Sequence, residues 1–200
     1  MCGLLRAVVA ACVVSASAAA PAQPGGSSLV THGGCRDGVA NGGFEVRSPA
    51  GRLRVAGAFH EGRRTGTFIF WTAGGERIAV VPFDNDVRNG TIALWHDVAG
   101  HARRLEAPYV RGVAHGMHRG WQRNGSRLFE VEYDHDRVAS VIAWSASGKP
   151  LAEAEARRIV AEARRRDEAV LAGLETMIAQ HRPVCDAVPR TTAALDHHPR

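Results

Sequence analysis

VAGAFHEGRRTGTFIFWTAGG, residues 55–75, alternates apolar and polar side chains up to Trp71 and then breaks into Gly74-Gly75. Alternation of this kind places Phe68 and Phe70 on one face of a β-strand and Thr67, Ile69 and Trp71 on the other. The same arrangement recurs along the chain. Gly51, Gly75, Gly100, Gly125 and Gly148 are spaced by 24, 25, 25 and 23 residues. Trp71, Trp95, Trp121 and Trp144 each stand four or five residues before one of these glycines, and Arg47 holds that slot in the first unit. Phe59, Phe83, Tyr109 and Tyr133 follow them by eight or nine residues. Gly42, Gly66, Gly90 and Gly116 mark a further fixed position, with Gly38, Gly62 and Gly112 four residues earlier. Such periodicity defines a repeat architecture.

Each unit reads as a β-hairpin. Asn124-Gly125 is a strong two-residue turn motif, and it pairs Trp121 with Leu128, Arg119 with Glu130 and His118 with Val131. Gly74-Gly75 likewise pairs Trp71 with Ile78, Phe70 with Ala79 and Phe68 with Val81. One face then collects Phe44, Val46, Val55, Phe59, Phe68, Phe70, Val81, Phe83, Ile92, Leu94, Leu105, Tyr109, Phe129, Val131, Tyr133, Val141 and Ala143, and this is the expected core. The other holds the four tryptophans beside Thr67, Ile69, Ile78, Val80, Arg119, Leu128, Glu130 and Glu132. The expected fold is mainly β: about five units of 23–26 residues, stacked antiparallel β-hairpins over residues 35–150, with a C-terminal α-helix as cap.

Val55-x-Gly57-x-Phe59-x-x-Gly62-x-x-x-Gly66-x-Phe68 resembles the MORN repeat, and the later Trp and Asn-Gly turn are similar to bacterial MORN-variant (antitoxin-like) repeats. The resemblance implies an elongated twisted antiparallel sheet of stacked hairpins, serving as a protein-binding or lipid-associated scaffold. The chain departs from the pattern at Asp86, His118 and Gly120, and at Ala139 and Ser140 in the last unit. A degenerate terminal unit suits the end of a solenoid, where no further neighbour stacks.

Residues 1–22 read as a signal peptide: Arg6, an apolar stretch from Ala7 to Val14, then the small-x-small triplets Ala16-Ser17-Ala18 and Ala20-Pro21-Ala22. Val9-Ala10-Ala11-Cys12 also resembles a lipobox, but an apolar stretch follows it where a polar tether is normally found, so lipidation of Cys12 is the weaker reading. Loss of the signal takes the net charge from +5 to +4 and leaves Cys35 and Cys185, a candidate disulfide in an oxidising compartment; two unpaired thiols are the alternative. Residues 151–182 read as the helix, opened by Pro150 and stopped by Pro183. Ala156, Val160, Ala163, Val170, Leu171, Leu174, Met177 and Ile178 form its apolar side, interrupted by Asp167. The helix is expected to cover part of the Trp face, with a flexible tail over 183–200. A partner-binding or membrane-surface helix is the lesser reading, and Asp167-Glu168 after Arg164-Arg165-Arg166, with an Ala-rich apolar stripe, argue against membrane insertion.

Lys149 is the sole lysine, so nearly all positive charge is guanidinium. Ten histidines invite a metal reading. His115-x-x-His118 is the one pair with ligand-like spacing, and His118 points into the core in this register. Asp134-His135-Asp136 reads as a turn and His197-His198 as tail. No metal site, cofactor or catalytic constellation is expected, and the chain is not expected to be an enzyme. The candidate binding stripe is Trp71, Trp95, Trp121, Trp144 and Arg119. The expected function is an exported, periplasmic or secreted interaction scaffold for a protein partner, acting through a face or edge of the sheet. The alternative is a module for cell-envelope glycan or anionic lipid headgroups, and export argues against nucleic acid.

Overall fold

The computed structural model describes residues 28–97 and 100–186. The stretch read as a signal peptide, Cys12 and the tail beyond residue 186 therefore lie outside the described residues. Twelve strands form one antiparallel sheet: β1 (Val30–Arg36), β2 (Val39–Arg47), β3 (Leu53–His60), β4 (Arg63–Trp71), β5 (Arg77–Asp84), β6 (Val87–Arg88), β7 (Gly90–Trp95), β8 (Arg103–Val110), β9 (Val113–Ala114), β10 (Gly116–Trp121), β11 (Arg127–Asp134) and β12 (Arg137–Ala143). One helix follows, α1 (Glu153–Gln180). The strands lie side by side in chain order, β1-β2-β3-β4-β5-β7-β8-β10-β11-β12, with β6 and β9 as short forerunners of β7 and β10. The sheet is thus an open meander of stacked hairpins, and it starts at Val30, one strand earlier than the repeat indicates.

Turns of two kinds close the two ends of the strands. Asp37-Gly38, Glu61-Gly62, Asn85-Asp86, Arg111-Gly112 and His135-Asp136 hold both residues at positive φ, the backbone of a tight type I′ hairpin turn. Asp86 replaces glycine with a gain, because its carboxylate accepts hydrogen bonds from the Arg64 backbone N–H and Nε, both at 2.9 Å. At the other end the turn is longer. Gly125 N–H bonds to the Gln122 carbonyl at 2.9 Å and only Gly125, at φ 83°, is left-handed; Asn124 is not. The expected two-residue turn is therefore a type I turn followed by a left-handed glycine. All twelve repeat glycines, and no other glycine, have positive φ among the described residues.

This turn changes the register next to it. Phe70↔Ala79, Phe68↔Val81, Arg119↔Glu130 and His118↔Val131 pair as expected, but Trp71 pairs with Arg77 and Trp121 with Arg127 rather than with Ile78 and Leu128. One residue is extra in each case, and it is a β-bulge. Ile78 and Leu128, expected beside the tryptophans, pack instead against the core, and Arg104 reaches Asp167 of α1 at 2.5 Å.

The core face is as the alternation dictates. Phe44, Val46, Val55, Phe68, Phe70, Val81, Ile92 and Val131 are fully buried, while Val141 is only partly so, on the last strand. Phe44, Phe59, Phe68 and Phe83 meet ring to ring at 5.2–6.1 Å. Over this face lies α1, burying Ala156, Val160, Ala163, Asp167, Leu171, Leu174 and Ile178. That corrects the expectation that the helix covers the Trp face. The reason is apolar area: the Phe/Val/Tyr face has more to remove from water than the mixed Trp face. Val170 is exposed at the border of the helix stripe. Pro150 does not open the helix either. It bridges to Trp144, and Leu151 N–H bonds to the Ala143 carbonyl at 2.9 Å, so a final hairpin absorbs both residues before the helix begins.

The helix runs back across the strands. Arg164 pairs with Asp136, Asp167 with Arg104, Glu168 with Arg88, Glu175 with Arg88 and Arg64, and the Arg182 guanidinium donates to the Gly62 carbonyl. Its 28 residues rise about 42 Å, against about 43 Å for ten strands on the main path. One helix therefore spans the sheet from its last strand to its first. Residues 182–186 continue along β1, where Pro183 lies against Gly33 and Cys185 bonds to Cys35, Cα to Cα 5.8 Å.

Glu175 is the central ion-pair partner of this interface, 2.7 Å from Arg64 and 2.8 Å from Arg88. Burial pushes its carboxyl up, but the hydrogen bonds from Arg64 and Arg88 outweigh that and hold it below the usual carboxylate range. Its folded-state pKa is thus below the unfolded value, so its stabilisation is present above pH 4.5 and is lost as pH falls below it. Glu175→Gln is expected to cost about 1–2 kcal/mol at pH 7 in urea denaturation, with the difference from the parent shrinking toward pH 3.

Candidate functional site

The face opposite α1 carries the tryptophans. Their slot is the last residue of β4, β7 and β10 and the residue after β12, just before the glycine turn. The bulge after that turn brings an arginine beside each of the first three: Trp71 pairs with Arg77, Trp95 with Arg103 and Trp121 with Arg127. In the lateral order of strands the row reads Trp71, Arg77, Trp95, Arg103, Trp121, Arg127, Trp144. Guanidinium and indole stack along it. Arg77 and Arg103 lie 4.4 and 4.7 Å from the Trp95 ring centroid, and Arg127 lies 5.0 Å from that of Trp121. Such contacts contribute about 0.5–1 kcal/mol each at exposed sites. They also fix the planes of the rings.

All four indoles are half-buried. Neither full burial nor full exposure describes them: Arg77 and Arg103 cover part of the Trp95 ring and Arg127 part of the Trp121 ring, and Trp121 also borders a cavity shared with Ala163, Arg166 and Asp167 of α1. Arg119 stands on the same face between Glu106 and Glu130, at 3.8 and 3.5 Å. Arg127 meets Glu130 at 2.7 Å and Arg103 meets Glu106 at 3.7 Å. The face is therefore a row of flat rings edged by guanidinium groups whose charge two carboxylates partly offset. In the first unit Arg47 takes the Trp slot, and its guanidinium turns to Glu45 and the Gly51 carbonyl.

The structure thus brings Trp71, Trp95, Trp121, Trp144 and Arg119 onto one face, and joins Cys35 to Cys185. Arg77, Arg103 and Arg127 were not among the sequence candidates. Their cue is in the sequence nonetheless, as an arginine two or three residues after Gly75, Gly100 and Gly125.

The histidine pair separates. His118 is buried between Tyr109 and Tyr133, its Nε2 2.9 Å from the Pro108 carbonyl, and burial pushes its pKa down to about 4. His115, three residues earlier, is exposed and faces the turn at the end of β11. There Asp134 Oδ1 lies 3.7 Å from His115 Nδ1 and 2.6 Å from His135 Nδ1. Two sequence features read separately, the His115 pair and the Asp134-His135-Asp136 turn, are one cluster in space. The expected register already implied it: His118 opposite Val131 places His115 opposite Asp134.

Among the described residues, no helix is long and apolar enough to cross a membrane. No protein-family model, curated protein or solved structure matches the chain.

Proposed function

We propose that the chain is an exported, non-enzymatic scaffold that binds a protein partner through the Trp/Arg face of its sheet. The observation that carries this reading is the row of four half-buried indoles on the face α1 leaves uncovered. Tryptophan and arginine dominate the energetics of protein–protein contacts, because each brings a large flat surface with a polar handle. The mixed sign of the face favours a protein over a polyanion. Glu106 and Glu130 sit among Arg103, Arg119 and Arg127, and would repel a glycan or lipid surface of uniform negative charge. The partner surface that fits carries apolar recesses for the indole edges and carboxylates for the guanidinium groups.

The disulfide is in keeping with a periplasmic or secreted location, which residues 1–22 would direct. The non-enzymatic part of the reading is supported by the use of the buried titratable groups in packing: His118 on the Pro108 carbonyl, Asp167 on Arg104, Glu175 on Arg64 and Arg88. The stacked hairpins keep a MORN-like scaffold as the closest architectural reading, a proposal resting on the repeat pattern.

The test is crosslinking and mass spectrometry from native periplasm, comparing the parent with Trp95→Ala/Trp121→Ala. The double variant is expected to lose a specific protein crosslink by about ten-fold or more while keeping the parent's circular dichroism. Retention of every crosslink overturns the reading. Sedimentation with isolated cell envelope that weakens with salt, without a protein crosslink, favours the glycan or lipid alternative instead.

A further inference from the structure

At the opposite strand ends from the Trp row, we infer that His115, Asp134 and His135 form a site for a divalent transition-metal cation. Each of the three offers one ligand atom, and these atoms all lie within 4.8 Å of one another. The imidazole centroids are 4.9 Å apart. In a tetrahedral zinc site with bonds of about 2.0–2.1 Å the ligand atoms are about 3.3 Å apart. The three groups are exposed, so side-chain rotations of about 1 Å at their tips close that difference without moving backbone.

The backbone that carries them is fixed. His115 N–H bonds to the Pro108 carbonyl at 3.2 Å. The His135-Asp136 turn is pinned by Asp136 N–H on the Ala114 carbonyl at 2.9 Å and by Arg164 on the Asp136 carboxylate at 2.9 Å. Arg164 holds Asp136 out of the cluster, so the ligand set is two imidazoles and one carboxylate.

The repeat does not require these residues. The slot of His115 is held by Asn41, Thr65 and Asn89 in other units, and that of His135 by Glu61, Asn85 and Arg111. Only in this corner do two imidazoles and a carboxylate converge among the described residues. Two nitrogen donors and one oxygen suit Zn²⁺, Cu²⁺ or Ni²⁺, whereas Ca²⁺ and Mg²⁺ require oxygen sets. Three protein ligands leave a coordination position for water or for a group on a partner. The site stands independently of the Trp-face reading, since it uses other residues at the other end of the strands.

The test is isothermal titration of Zn²⁺ into the full chain, its His115→Ala and His135→Ala variants, and a His197→Ala/His198→Ala variant as control for the tail. Both ligands are exposed, so loss of binding is not a folding effect, and circular dichroism verifies it. One equivalent of Zn²⁺ is expected to bind the parent and the tail variant alike, with affinity reduced about ten-fold or more in His115→Ala and in His135→Ala. In the parent, Zn²⁺ is expected to shift the imidazole proton resonances of both His115 and His135. Equal binding by all four chains, loss confined to the tail variant, or no Zn²⁺-dependent shift at His115 and His135 overturns the proposal.

Discussion

Cys35→Ala is expected to lower stability by about 4–5 kcal/mol, because its bond to Cys185 closes a loop with a sequence separation of 150. In the chain-entropy account, the longer the loop, the more freedom the bond removes from the unfolded chain. The topology adds a native-state reason. In a meander each strand meets only its lateral neighbours, so its ends have nothing to hold them together. Here α1 returns across the sheet and the disulfide fastens it to β1. Without the bond, Pro183 and Arg182 lose their fixed place against Gly33 and Gly62, and β1 becomes a strand held on one side only. Thermal unfolding should move down by about 10–15 °C, and dithiothreitol should bring the parent to the same midpoint while leaving Cys35→Ala unchanged. A midpoint unchanged by the substitution would show that α1 needs no covalent fastening.

The second large effect is pH dependence through His118. The ring is 5% exposed, and burial outweighs the hydrogen bond to the Pro108 carbonyl to bring its pKa from 6.5 to about 4. The unfolded chain therefore takes up a proton on this residue between pH 6.5 and 4 while the folded chain does not. Stability is full above pH 6.5, falls through this window by about 3 kcal/mol, and levels once the folded form also protonates. His118→Phe should remove this window. Phe44 and Phe68 hold the same repeat slot, and the Pro108 carbonyl keeps the His115 N–H as a donor. The remaining acid loss, below pH 4.5, belongs to groups such as Glu175. Urea midpoints at pH 7, 5.5 and 4.5 separate the two, and a variant as pH-sensitive as the parent between pH 6.5 and 4.5 would refute the assignment to His118.

His118 also shows why the repeat departs from its pattern where it does. In the slot two residues later, Val46, Phe70 and Leu94 are replaced by Gly120, and the Phe129 ring lies directly on that glycine. The space a side chain would fill is taken from across the strand. A buried imidazole and a missing side chain are local repacking of one unit, with the sheet unchanged around them.

The strand order, the two faces and the inner register were legible in the sequence, because they depend on period-two alternation and on glycines that recur every 23–25 residues. Backbone sterics make those positions nearly independent of context: a residue at positive φ is glycine far more readily than any other. The row of Trp71, Trp95, Trp121 and Trp144 was legible for the same reason, as was the exclusion of His118 from any ligand pair. What tertiary structure alone decided is which face the helix takes and that Arg77, Arg103 and Arg127 stack on the indoles. Each depends on a bulge or on a contact between elements far apart in sequence, such as Glu175 with Arg64. A one-residue bulge turns a side chain to the other face without altering the alternation on either side of it. Burial of the larger apolar area, which only the assembled sheet presents, then selects the face for α1 and leaves the tryptophans uncovered.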